Sequence, residues 1–163
     1  MRKFILPSLG RGMGVGSLVL LLCVLCVSCD DDNDDWKQYL TRGNEARPTW
    51  SIPSDMYQIF EFTMAVQVTL QDELLPYASD DDLMCATIGD EVRAVTTLQR
   101  TGGEVYFPLV IAGSSGSGKV SLRYYCAQLR RTYTLDGWMP FTPGISPTQD
   151  GQPYVVKFIP VNN

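Results

Sequence analysis

Histidine is missing from all 163 residues of the chain. Its absence removes every Ser-His-Asp triad, every Cys-His pair and every imidazole-ligated zinc site. Catalysis would have to rest on paired carboxylates, a lysine nucleophile or a metal held by oxygen alone. Basic residues are also scarce, 13 against 18 acidic ones, for a formal charge of −5. Binding to phosphate backbones requires a basic face, so nucleic acid is excluded as a partner. There is no apolar run of membrane-spanning length, no internal repeat and no stretch that sustains an amphipathic helix.

What the chain does have begins at its N-terminus. Arg2, Lys3 and Arg11 precede Leu18–Val27 (LVLLLCVLCV), an unbroken apolar run. The run is the length of a secretory signal core and about half that of a membrane span. Ser28-Cys29 follows, and then Asp30-Asp31-Asp32-Asn33-Asp34-Asp35, which cannot continue into a bilayer because each carboxylate would cost a few kcal/mol there.

A small residue before a cysteine at the end of an apolar run resembles the lipobox of bacterial lipoproteins, with Cys26 where leucine is usual. The resemblance implies a signal peptide over 1–28 and a lipid-bearing Cys29 as the first mature residue. It also implies an outer-membrane protein held by its lipid anchor. The Cys-Asp-Asp-Asp-Asn-Asp-Asp run is similar to the acidic export tag of Bacteroidetes surface lipoproteins, which implies exposure at the cell surface. Loss of residues 1–28 takes Arg2, Lys3 and Arg11 and no acid, moving the charge from −5 to −8. Residues 29–48 then read as a lipidated cysteine with an acidic and polar tether. Residues 49–163 are enough for one domain with its own core.

Within that domain the apolar pattern has period two. Phe62, Met64, Val66, Val68 and Leu70 alternate with Glu61, Thr63, Ala65, Gln67 and Thr69, as on a half-buried strand. Further strands are predicted over 83–89, 91–98, 104–112, 119–127, 129–135 and 153–160. Pro108 cannot donate to a ladder and places its strand at an edge or bulge. Six to eight short strands separated by Gly-, Pro- and Asp-rich turns predict an all-β fold. An antiparallel β-sandwich, Ig-like or jelly-roll-like, is the default, with a barrel as alternative. Asp80-Asp81-Asp82-Leu83 could cap one helical turn.

A second resemblance covers most of the mature chain. Trp50-Ser51-Ile52-Pro53, Asp55-Met56-Tyr57, Ile88-Gly89-Asp90-Glu91-Val92-Arg93, Leu122-Arg123-Tyr124-Tyr125 and Pro153-Tyr154-Val155 occur in the order seen in a small β-sandwich domain of Bacteroidetes surface lipoproteins. Ala94 stands where that family has a glycine after the arginine. The resemblance implies architecture and location, and no catalytic activity.

Several motifs point to chemistry, each with a plainer alternative. Gly113-Ser114-Ser115-Gly116-Ser117-Gly118-Lys119 spells most of a phosphate-binding loop. Val120 follows instead of Ser or Thr, and then a strand instead of a helix, so it reads as a hairpin loop with no nucleotide. Asp80, Asp81 and Asp82 with Asp90 and Glu91 could form an oxygen-only Ca2+ site or a glycosidase-type carboxylate pair, or simply a solvated turn. Arg93 could clamp a ligand carboxylate or pair structurally with Glu91. Trp138 and Phe141, in the turn-rich Gly137–Phe141 stretch, could contact a sugar or a protein partner, or plug one end of the core. Trp50 and Tyr57 are expected to pack inward. Cys85 and Cys126, the cysteines left in the domain, could form one disulfide or stay as two buried thiols. The functional expectation is a non-enzymatic surface binding module or accessory subunit of an outer-membrane protein complex. A glycan-binding or adhesive module is the alternative, and a carboxylate-dependent hydrolase follows third.

Overall fold

The computed structural model describes residues 37–145 and 153–161. The strands among them are β1 (Phe62–Leu70), β2 (Leu83–Ile88), β3 (Glu91–Thr97), β4 (Gln99–Thr101), β5 (Glu104–Gly113) and β6 (Lys119–Cys126). They continue with β7 (Arg131–Leu135), β8 (Met139–Pro140), β9 (Gly144–Ile145), β10 (Tyr154–Val156) and β11 (Phe158–Pro160). Helical structure within the sandwich includes one turn of α-helix, α1 (Met56–Ile59), and a 3-10 turn at Leu75–Tyr77. Asp80–Asp82 form no helical turn, because Asp82 leads directly into β2.

Two sheets face each other. Sheet one has the order β10-β1-β5-β4, with β9 also on β1. Sheet two has the order β11-β7-β6-β2-β3, with β8 also on β6. Strands β1 to β7 thus follow the B, C, C′, D, E, F, G order of an immunoglobulin-type sandwich. The place beside β1 that strand A takes in that order is filled by β9 and β10, from the C-terminal side of the chain and parallel to β1. The chain then crosses at Lys157, so that β11 joins sheet two against β7.

The period-two pattern explains the core. Met64, Val66, Val68 and Leu70 of β1 meet Phe107, Leu109 and Ile111 of β5 and Val120, Leu122, Tyr124 and Cys126 of β6, all buried. Full burial of one such side chain is worth roughly 1.5–3 kcal/mol. Tyr124 lies at the centre, its ring 5.7 Å from Phe107, 5.6 Å from Phe158 and 5.9 Å from Tyr133. Pro108 sits beyond the reach of β4, which pairs only with Glu104, Val105 and Tyr106, so its missing N–H costs no ladder bond on that side.

Two expectations about organisation are corrected. The loop from Gly113 to Lys119 is not a hairpin: β5 belongs to sheet one and β6 to sheet two, so it arches over one end of the sandwich. The domain also starts before residue 49. Gly43 N donates to Leu129 O at 2.6 Å, Glu45 N to Arg130 O at 3.2 Å and the Tyr133 hydroxyl to Tyr39 O at 2.7 Å. Tyr39 and Leu40 pack against the core. Residues 39–50 are therefore a strap that belongs to the sandwich and not a free tether.

Candidate functional site

The acidic residues do not form a metal centre. Asp82 is completely buried and each of its oxygens is taken. Oδ1 accepts from the Ser79 hydroxyl (2.8 Å) and Ala127 N (2.8 Å), and Oδ2 accepts from Ser79 N (3.0 Å) and the Tyr124 hydroxyl (2.7 Å). This carboxylate ties the entrance of β2 to the end of β6. Burial, and then the Asp82 charge, push the Tyr124 phenol far above its ordinary range. Asp80 is exposed and pairs with Arg100 Nε at 3.3 Å, while Asp81 points to solvent. Asp90 lies at the far end of β2, a strand of six residues and so roughly 20 Å away. Among the described residues no group of three or more acidic or cysteine side chains could hold a metal ion. The Ca2+ site over Asp80, Asp81, Asp82 and Asp90 is overturned on this ground, and the same separation argues against a carboxylate pair across the two turns.

Arg93 is not a ligand clamp. A register shift between Ala86 and Thr87 opposite it turns the side chain toward sheet one, where it is 7% exposed. Nη1 donates to Ala112 O (3.3 Å), Nη2 to Glu91 (2.7 Å), and the Phe60 ring covers the guanidinium with its centroid 3.8 Å away. The ion pair lies within β3, which is the structural alternative, and the bond to Ala112 O ties β3 to the end of sheet one.

The cysteines do not pair. Both thiols are free and buried. Met84 faces Tyr124 across the β2–β6 ladder, and Cys85 faces Arg123. Cys126, in phase with Tyr124, therefore points into the core while Cys85 points to the outer face of the same sheet. No rotamer joins two sulfurs across a sheet. Burial pushes the Cys85 thiol from its ordinary 9.0 up to about 12, with Arg123 pulling it the other way, and desolvation also raises Cys126.

The arch end of the sandwich carries the aromatic residues of the Gly137–Phe141 stretch. Trp138 is 54% exposed and does not plug the core. Lys119 Nζ stands 4.8 Å from its ring centroid, a cation–π contact that braces the indole at the surface. Phe141 turns inward and packs on Gly113, where an added Cβ would stand 2.6 Å from its ring. The arch glycines Gly116 and Gly118 have φ of 82° and 81° and lead into a strand, so no helix N-terminus faces the loop. Tyr57 is another exposed ring, 52% exposed, its hydroxyl donating to Val110 O at 3.3 Å; this corrects the expectation that it packs inward.

A second feature was not singled out by any motif. The strap crosses the outer face of sheet two and leaves a groove of about 370 Å³, lined by Glu45, Pro48, Trp50, Arg123, Thr132, Thr134 and Val161. Trp50 is half-buried there. The polar residues come from the solvent-facing positions of β6 and β7, in register with one another: Arg123 is opposite Thr134 and Tyr125 is opposite Thr132. Alternation makes these positions legible as an outward polar row, but nothing in the sequence places Trp50 over them. A shallower, more apolar hollow lies on sheet one beside Leu75, Val105, Pro153 and Val155.

Fold and surface together define an immunoglobulin-type sandwich with an exposed aromatic tip and an amphipathic groove. Comparison with protein-family models, with curated proteins and with solved structures finds no match to the chain. Cys29 and the signal segment lie outside the described residues. No helix among the described residues is long and apolar enough to cross a membrane.

Proposed function

We propose that the protein is a non-enzymatic binding module on the bacterial cell surface, of the kind found in Bacteroidetes surface lipoproteins. In this reading it is anchored in the outer membrane by a lipid on Cys29 and serves as an accessory subunit of an outer-membrane protein complex. The observation that carries the reading is the placement of Trp138. The strap is bound at one end of the sandwich, at Leu129 and Arg130. Trp138 sits at the other, beside Lys119, the first residue of β6. The eight residues of β6 separate the two ends by roughly 25 Å. Trp138 therefore stands at the end of the sandwich opposite the strap's bonds to Leu129 and Arg130. Tryptophan is among the side chains enriched at the energetic centre of protein interfaces, and Trp138 is exposed and braced in place. The acidic run after Cys29 supports surface export.

Mass spectrometry of the mature N-terminus tests the address: a triacylated Cys29 is expected, and an unmodified one refutes it. Cross-linking in intact cells through a photo-reactive residue at position 138 tests the role. One defined outer-membrane partner, lost from pull-downs of Trp138→Ala, is expected. Equal recovery of that partner with Trp138→Ala rejects the tip as the docking point.

A further inference from the structure

We infer that the groove between the strap and the outer face of sheet two binds a neutral saccharide ring. The site is separate from the Trp138 tip. A sugar ring has apolar C–H faces and a rim of hydroxyls that both donate and accept. It therefore needs an apolar wall together with donors and acceptors. The groove supplies each. Trp50 and Pro48 form the apolar wall, Arg123 is a pure donor, Glu45 is a pure acceptor, and Thr132 and Thr134 do both.

The charges in the groove are available and opposed. Arg93, Arg130 and Arg131 on the same sheet are tied to Glu91, to Asn44 O and Glu45 O, and to Thr41 O. Neither the Arg123 guanidinium nor the Glu45 carboxylate makes a hydrogen bond or ion pair among the described residues; Arg123 acts electrostatically on the Cys85 thiol and Glu45 on the Tyr133 phenol. The Thr134 hydroxyl makes one long bond, to Leu122 O at 3.4 Å, and keeps acceptor capacity. An anionic ligand would face Glu45 and a cationic one would face Arg123. A polyol without charge satisfies both at once. The volume, about 370 Å³, is at the small end of ligand sites and suits one or two rings.

The rigidity of the site comes from its frame. The strap is bound on the lower side by Gly43, Glu45 and the Tyr125 hydroxyl, which donates to Glu45 O at 3.4 Å. The opposite wall is a paired β6–β7 ladder. Both walls are therefore formed before a ligand arrives, which lowers the ordering cost of binding.

The test is calorimetric titration of the full mature chain with neutral tetrasaccharides of glucose, xylose and mannose. Tetragalacturonate and lysine-rich tetrapeptide serve as charged counterparts. Saturable binding of a neutral tetrasaccharide is expected. Arg123→Gln and Thr134→Val should weaken it at least ten-fold, and Trp138→Ala should leave it unchanged. Both groove variants alter partly or fully solvent-facing positions, and an unchanged urea midpoint confirms that they fold. Failure of all neutral sugars to bind at about 10 mM, weaker than roughly 3 kcal/mol of binding free energy, overturns the inference. So does a preference for either charged probe, or binding that Arg123→Gln leaves intact. None of these outcomes bears on partner capture through Trp138.

Discussion

Replacing Asp82 with asparagine exchanges one oxygen of a single side chain for NH2 and should cost the fold about 3–5 kcal/mol. The reason is geometric. Each carboxylate oxygen accepts one backbone N–H and one hydroxyl: Ala127 N and Ser79 Oγ on one side, Ser79 N and Tyr124 Oη on the other. A hydroxyl can rotate and become an acceptor, but a backbone N–H cannot. Whichever way the asparagine amide is turned, its NH2 faces one buried N–H, and both donors are left unsatisfied. An unsatisfied buried donor costs about 1–3 kcal/mol, and bonds to a charged group are worth about 1.5–3 kcal/mol each. Urea denaturation followed by far-UV circular dichroism, with the unfolding slope unchanged, reads the difference directly. Tyr124→Phe removes one of the four bonds and should lose about 1.5–3 kcal/mol. If Asp82→Asn lies within about 1 kcal/mol of the parent protein, the four-donor arrangement is not what holds β2 to β6.

Other outcomes follow from the same coordinates. The mature protein, unfolded without reductant, should show Cys85 and Cys126 as two alkylatable thiols, because they lie on opposite faces of sheet two; a mass two units lower than the dithiol form would contradict the β2–β6 register. The contribution of the Cys85 thiol to stability should be constant below pH 9 and be lost as pH rises toward 12. The native state holds the Cys85 proton more tightly than the unfolded chain does, so alkaline pH favours unfolding. Urea midpoints at pH 8 and pH 10.5 measure the fall, and Cys85→Ala should reduce it. A chain starting at residue 47 should be about 2–4 kcal/mol less stable than one starting at residue 30, since it lacks the Gly43, Glu45 and Tyr39 bonds and the packing of Tyr39 and Leu40 against the core. Equal stability would show that the strap is a tether after all.

Strand positions were readable because period two is a local property. The alternation at Phe62–Leu70 predicts β1 to within a residue, and the runs at 83–89 and 91–98 match β2 and β3. The run at 129–135 begins two residues later as β7, because Arg130 has φ of 50° and closes a turn. The run at 153–160 splits at Lys157 into β10 and β11, which pair with different sheets. The short strands β4, β8 and β9 carry too few residues to show a period.

Composition and local pattern alone determined that this chain has no histidine chemistry, too few basic residues for nucleic acid, and enough alternating apolar positions to build a two-layer β fold. They also determined which residues of each strand face inward, because successive side chains on a strand must point to opposite sides. They could not determine which sheet a strand joins, since pairing between distant segments depends on packing and not on local sequence. That choice turned the apparent phosphate loop into an arch, set Cys85 and Cys126 on opposite faces, and drew Arg93 toward sheet one. It buried Asp82 among four donors while neighbouring Asp81 stayed in water. It also brought Trp50 to the same groove as Arg123, 73 residues further along the chain, a site that no run of residues announces.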